Sequence, residues 1–288
     1  MTGRIISVII YVLCAPFLGG ILDGVSRKIS ARMQGRIGPP ILQPLYDVRK
    51  LLNKQVVAVS VPQSFLLICY LVLMILSGAI FFSGNDLLMC VFVLGTASTF
   101  LYFATIVNSS PYNTIAASRE LIQIMAYEPA VLLAGVGFYL ASGSFSVRDI
   151  ALADHSMLLY TPGFFIAFVF VLTIKMRKSP FDISTSHHAH QELVRGVTTE
   201  LGARYLALYT IAEWYENVFL LGMVSLFFLN RNTWSIPAAL LLTFLVFFLE
   251  ILIDNTNARM KWESMFKLSW EVTLLAAGVN LLVLMLIK

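Results

Sequence analysis

The 288-residue chain is 58% hydrophobic and only 12% charged, with a formal net charge of +4. Soluble domains carry about 25% charged residues, so this composition excludes a soluble enzyme, a disordered chain and a nucleic-acid binder. A mean hydropathy of +0.82 leaves an all-α polytopic membrane protein, because lipid offers no partner to unpaired backbone groups and no barrel-like alternation occurs.

Eight apolar stretches are long enough, at about 20 residues each, to cross a bilayer core of about 30 Å. They fall at 5–22, 65–82, 87–107, 115–140, 157–174, 205–229, 236–253 and 268–287, within one integral membrane domain spanning 1–288. The first is longer than a signal-peptide core and no small-x-small site follows, so it is read as a retained helix. After it, Leu42, Leu45, Val48, Leu51 and Leu52 recur at helical spacing with polar residues between. That pattern predicts an amphipathic helix on the cytoplasmic membrane surface. Loops 2–3, 3–4 and 6–7 are too short for a domain. Cys14, Cys69 and Cys90 sit in apolar stretches without a CxxC pattern and read as buried small hydrophobes rather than disulfide or zinc ligands.

Orientation follows from Lys and Arg. Loop 1–2 carries Arg27, Lys28, Arg32, Arg36, Arg49, Lys50 and Lys54; loop 5–6 carries Lys175, Arg177, Lys178, Arg195 and Arg204; loop 7–8 carries Arg259, Lys261 and Lys267. The opposite side has Arg4, Arg148, Arg231 and Lys288. This bias predicts that loops 1–2, 5–6 and 7–8 are cytoplasmic and both termini extracytoplasmic.

Seven charged residues lie inside the apolar segments: Arg119, Glu120, Glu128, Glu213, Glu216, Glu250 and Glu271. Each costs roughly 2.5–3.5 kcal/mol at mid-membrane, so a purely structural helix has no reason to carry the Glu213/Glu216 pair. Spaced i, i+3, the two share a helix face and disfavour simultaneous ionisation, a property suited to proton transfer. Glu120, Gln123 and Tyr127 form a polar stripe in the fourth segment, with Glu128 beside it and Pro129 favouring a kink or a water site. The plainer alternative is that these acids pair with Arg119 or Arg204, or lie near the interface. Glu200 and Arg204, at i, i+4, suit a pair.

In loop 5–6, His187, His188 and His190 precede Glu192. They lack regular ligand spacing, so a metal site is not assigned; a partner-facing loop and proton loading both remain open. No phosphate loop, nucleophile elbow or HExxH motif occurs, and the chain shows no catalytic centre of its own.

The run Ser26-Arg27-Lys28-Ile29-Ser30-Ala31-Arg32-Met33-Gln34-Gly35-Arg36-Ile37-Gly38-Pro39, followed by Leu42-Gln43-Pro44-Leu45-Tyr46-Asp47, resembles the complex I subunit 1 family (the bacterial H-type chain) and its relatives in energy-converting membrane-bound hydrogenases. Ala126-Tyr127-Glu128-Pro129, Pro180-Phe181-Asp182, Glu192-Leu193-Val194-x-Gly196, Thr199-Glu200, Ala212-Glu213-Trp214 and Ala258-Arg259 extend the resemblance over nearly the whole chain. Quinone-reducing members carry an insertion after Gly-Pro and an acidic run after Phe-Asp. Here Pro39 runs directly into Pro40-Ile41-Leu42 and Ser184–His190 holds no acid. Both departures look like the compact Ech-type hydrogenase branch and argue against a quinone site.

The resemblance implies an anchoring and coupling subunit in the inner membrane of a prokaryote, non-catalytic itself. It implies iron–sulfur clusters and a nickel–iron centre in partner subunits, no cofactor in this chain, and ferredoxin as electron donor. The implied partners are hydrogenase large and small subunits, an iron–sulfur subunit, an antiporter-like membrane subunit and lipid. Arg32, Arg36, Asp47 and Arg259 would dock the peripheral arm. Asp182, Glu192 and Glu200 would form the relay entrance, and Glu128, Glu213 and Glu216 its intramembrane part. Alternatives are a quinone-linked complex I chain of the H type and a stand-alone secondary transporter.

Overall fold

The computed structural model describes residues 2–56, 60–108, 110–178, 180–182, 184–185 and 193–287. Among them the chain is all-helical, with two isolated bridges, Asp86 to Ser146 and Phe181 to Met260, and no strand. The helices are α1 (Thr2–Met33), α2 (Gln43–Leu52), α3 (Val61–Phe82), α4 (Leu87–Ile106), α5 (Pro111–Ser142), α6 (Val147–Ala151), α7 (Pro162–Lys175), α8 (Ala203–Leu226), α9 (Ser235–Thr256), α10 (Trp262–Val272) and α11 (Val279–Ile287).

Among the described residues, six helical stretches are long and apolar enough to cross a membrane: 3–33, 61–82, 87–106, 111–142, 235–256 and 262–287. The last joins α10 and α11 through a π-helical turn, Thr273–Gly278. The fifth and sixth expected segments do not meet that standard. Met157–Leu159 forms a separate 3₁₀ turn and α7 begins only at Pro162. Proline disfavours helical geometry at the residue before it, here Thr161, and takes the first helical turn itself. The resulting 14 residues rise about 21 Å, short of the bilayer core. The 24 residues of α8 are long enough, but Glu213, Glu216 and Asn217 interrupt their apolar run.

The first apolar run does not end its helix at Leu22. No proline follows it before Pro39, and α1 continues through Gly24 to Met33, carrying Arg27 and Arg32 beyond the apolar part. The chain then turns through Gly35 and Gly38, both at positive φ (72° and 76°), a conformation cheap only for glycine. Gly24 lets the Ile41 carbonyl lie directly against α1, where a Cβ would collide with it. Over Gln43–Leu52 the backbone is helical, with Pro44 and Val48 buried and Tyr46, Arg49 and Lys50 exposed.

The core gathers around α8, which packs on α1, α2, α3 and α9; α3 pairs with α4, and α5 with α4 and α7. Phe138, Phe164, Phe168, Phe219 and Phe227 are fully buried there. The outer faces are apolar instead: Leu13 and Phe17 on α1 are each 62% exposed, and Leu240 on α9 is 66% exposed. A surface of that kind is matched to lipid or to other membrane helices. Cys14 shares the outer face of α1 and is exposed, against expectation; Cys90 is buried.

Candidate functional site

At the end of the bundle where α7 stops, four elements bring charged side chains into the protein interior. The stripe on α5 turns inward as its spacing requires: Glu120, Gln123 and Tyr127 are all buried. On α8, Glu216 is buried and the Glu213 side chain is 27% exposed. Between these helices lie Lys175, the last residue of α7, and Arg177 just beyond it. Neither cation is marked by the sequence as more than a loop charge. A lysine ending an otherwise apolar run (Phe-Val-Leu-Thr-Ile-Lys) is the signal that could have singled it out, since its stem is held inside by the helix that carries it.

Arg177 is the hub. Its guanidinium forms a two-pronged bond to Glu120 (3.1 and 3.2 Å) and its Nε reaches Glu213 Oε1 at 2.9 Å. It also donates to the Ser184 and Thr185 hydroxyls at 3.1 and 3.0 Å, while Ser184 donates to Glu120. Tyr209, one turn before Glu213, donates to Glu213 Oε1 at 2.6 Å and lies under the guanidinium, 5.7 Å from ring centre. The planar fork of arginine makes this bridging possible. Arg177 holds φ = 53° to do it, a strained conformation for a residue with a side chain and one that clusters at functional positions.

Glu216 has its own cation. Lys175 Nζ lies 2.6 Å from Glu216 Oε1, 3.2 Å from Ser98 Oγ on α4 and 4.0 Å from the Tyr127 ring centre. The i, i+3 carboxylates therefore do not face one another unscreened, because each is neutralised by a different residue of the α7 end. A polar void of about 10 Å³ lies between the two ion pairs, lined by Glu120, Gln123, Lys175, Arg177 and Glu216 among others. That is room for about one water with several polar partners. On its outer side the network meets an open cavity of about 1190 Å³ bounded by α1, α2, α8 and α9, which Glu213 and Glu216 both line.

The remaining acids divide. Glu128 is half-buried and makes no ion pair among the described residues; its Oε1 points at α4, where a Cβ on Gly95 would lie 2.6 Å away. Asp182 sits with Arg119 (3.5 Å), and the Arg119 guanidinium lies 5.0 Å from the Trp262 ring centre. Arg119 thus reaches Asp182 while Glu120 is held by Arg177, a different pairing from the neighbouring one the sequence suggests. Glu200 is exposed, just ahead of α8. Among the docking candidates, Arg32 and Arg36 are exposed at the end of α1. Asp47 accepts from Gln43 (2.9 Å) and lies 3.7 Å from Arg27. Arg259 is half-buried between α9 and α10. Arg36 and Asp47 line the large cavity. Glu192, His187, His188 and His190 lie outside the described residues.

Paired charges of this kind can exist in a low-dielectric interior because each carboxylate has a cation and hydrogen bonds. Carboxylates, an arginine, hydroxyls and a one-water void also form one connected polar network.

Comparison with known proteins places this architecture. A family profile described as NADH dehydrogenase matches residues 5–285. The chain is 25% identical to the H-type chain of NADH-quinone oxidoreductase from Aquifex aeolicus, covering 96% of this chain and 94% of that one. It is 29% identical to Hydrogenase-4 component C of Escherichia coli, covering 89% of each. Its fold matches a chain of the membrane-bound sulfane sulfur reductase, an archaeal respiratory membrane complex, with a TM-score of 0.85 at 23% identity over 98% of this chain and 99% of that one. The relatives are subunits of oxidoreductase complexes, and with the profile spanning almost its entire length, this all-helical membrane chain belongs to the NADH dehydrogenase family.

Proposed function

We propose that the chain is the membrane anchor and coupling subunit of an energy-converting hydrogenase. In this reading it links ferredoxin-driven proton reduction in a peripheral arm to translocation of protons or sodium ions. Arg177 carries the reading: a cation at the membrane-surface end of α7 holds two intramembrane carboxylates, Glu120 and Glu213. A change transmitted to the 176–185 connection by an attached arm would reach both acids at once. Glu213, Glu216, the small void and Glu120 form the relay, and Glu128 continues it toward α4. We assign Asp182, Glu192 and Glu200 to its entrance, and proton loading to His187, His188 and His190.

Arg32, Arg36, Asp47 and Arg259 dock the arm on the cytoplasmic side. In this orientation the stretch from the Met157–Leu159 turn through α7, together with α8, completes eight crossings, both termini are extracytoplasmic, and α2 lies along the inner-membrane surface. The arm's large, small and iron–sulfur subunits hold the clusters and the nickel–iron centre, and an antiporter-like subunit adjoins in the membrane. The similarity to Hydrogenase-4 component C and the missing Gly-Pro insertion support this branch.

A quinone-linked role is the second reading. It is favoured by the cavity of about 1190 Å³, whose wall includes Leu22, Val48, Leu51, Trp214 and Phe247, and by the similarity to the NADH-quinone oxidoreductase chain of Aquifex aeolicus. Gentle purification of the intact complex, with metal analysis and lipid extraction, separates the two. Nickel with iron and no quinone is the expected result; bound quinone without nickel overturns the hydrogenase reading.

A further inference from the structure

Glu250 lies outside the network above. It sits near the C-terminal end of α9, is 0% exposed, and among the described residues neither of its carboxyl oxygens has a hydrogen-bond partner. An ionised carboxylate left this way would be uncompensated in a low-dielectric interior. The groups that act on it are Thr173 on α7, Lys178 just past α7, and Asp254 one turn further along its own helix.

Two of these groups are held by other partners. Thr173 donates its hydroxyl proton to the Phe170 carbonyl at 2.7 Å. Lys178 is engaged elsewhere: its Nζ lies 2.5 Å from Ser26 Oγ on α1 and 3.9 Å from Asp254. The other contact from α1 is uncharged, with Asn255 donating to Ser30 Oγ at 3.0 Å. On α8, Glu213 and Glu216 face α9 across the large cavity. Asp254 and Lys178 line that cavity, and a residue four positions away on the same helix face is within about 5–6 Å at Cβ.

We propose that Glu250 is a proton-holding site at the α7–α9 interface, carrying a neutral carboxyl and exchanging its proton with the cavity through Asp254. In the exchange the Glu250 O–H bond breaks and an O–H bond forms on the Asp254 carboxylate. The Lys178 ammonium passes from Asp254 to the new Glu250 carboxylate, so the total charge of the three groups is unchanged. The site needs only the chain in its membrane complex and does not depend on which electron donor feeds that complex.

Infrared spectroscopy of the membrane-embedded complex in H₂O and D₂O tests it, together with mass spectrometry after treatment with dicyclohexylcarbodiimide, an apolar reagent for protonated carboxyls. The expected results are loss of one protonated-carboxyl carbonyl band in Glu250→Gln and covalent modification of Glu250 in the unaltered complex. In Asp254→Asn the band should persist while its shift in D₂O slows. An infrared spectrum unchanged by Glu250→Gln, or an unmodified Glu250, overturns the site; unchanged exchange in Asp254→Asn overturns the route. The labelling arm uses the unaltered protein and stands even if a variant fails to assemble.

Discussion

Lys175 Nζ and Glu216 Oε1 are 2.6 Å apart, and the two side chains are only 4% and 6% exposed. A pair this deeply buried gives little net stability, since desolvation offsets attraction, but removing one partner leaves a bare charge inside. Lys175→Met should therefore destabilise the protein by about 3–5 kcal/mol. Lys175→Met with Glu216→Leu should recover most of that loss. Thermal unfolding of the detergent-solubilised complex, followed by loss of helical signal, measures both.

Arg177 is a bridge as well as a charge. Arg177→Lys keeps the cation but cannot hold Glu120 by two prongs while reaching Glu213. Ion translocation should fall at least about tenfold, a change of roughly 1.4 kcal/mol in coupling, with electron transfer retained. Simultaneous assays of both activities in membrane vesicles check this. Equal loss of both would place Arg177 in assembly rather than coupling.

Gly95 offers a way to move Glu128 without altering it. In Gly95→Ala the new methyl carbon would fall 2.6 Å from Glu128 Oε1, so the carboxyl must swing away. The carboxyl is the far end of a flexible side chain, and the stability cost should stay under about 1 kcal/mol. If Glu128 belongs to the relay, translocation drops while melting barely changes.

Asp86 provides a control at the opposite end of the bundle. Its side chain accepts from Leu88 N at 2.8 Å and Met89 N at 3.2 Å, capping α4. Asp86→Ala should cost about 0.5–2 kcal/mol of stability and leave the ratio of ions moved to electrons transferred unaltered.

Much of the fold is legible in hydropathy because lipid imposes it: α3, α4, α5 and α9 lie close to the expected segments. What hydropathy does not encode is where a charged side chain turns. Lys175 and Arg177 count as cytoplasmic topology charges, yet both reach inward to neutralise Glu216, Glu120 and Glu213. The inward acids are visible because carboxylates in an apolar run are anomalous, whereas basic residues at its end are commonplace. The continuation of α1 to Met33 is hidden because polarity ends a membrane span without ending a helix. Thr161–Pro162 shortens α7 by a backbone rule that an apolar average ignores.

The coupling role of the carboxylate network is tested most directly by Glu213→Gln in the intact complex in sealed membrane vesicles, with ion translocation and electron transfer recorded together. Glutamine keeps the size of Glu213 and its ability to accept from Tyr209 but cannot carry a charge or exchange a proton at that position. The account predicts that electron transfer continues while translocation collapses; translocation persisting at the unaltered ratio would contradict it.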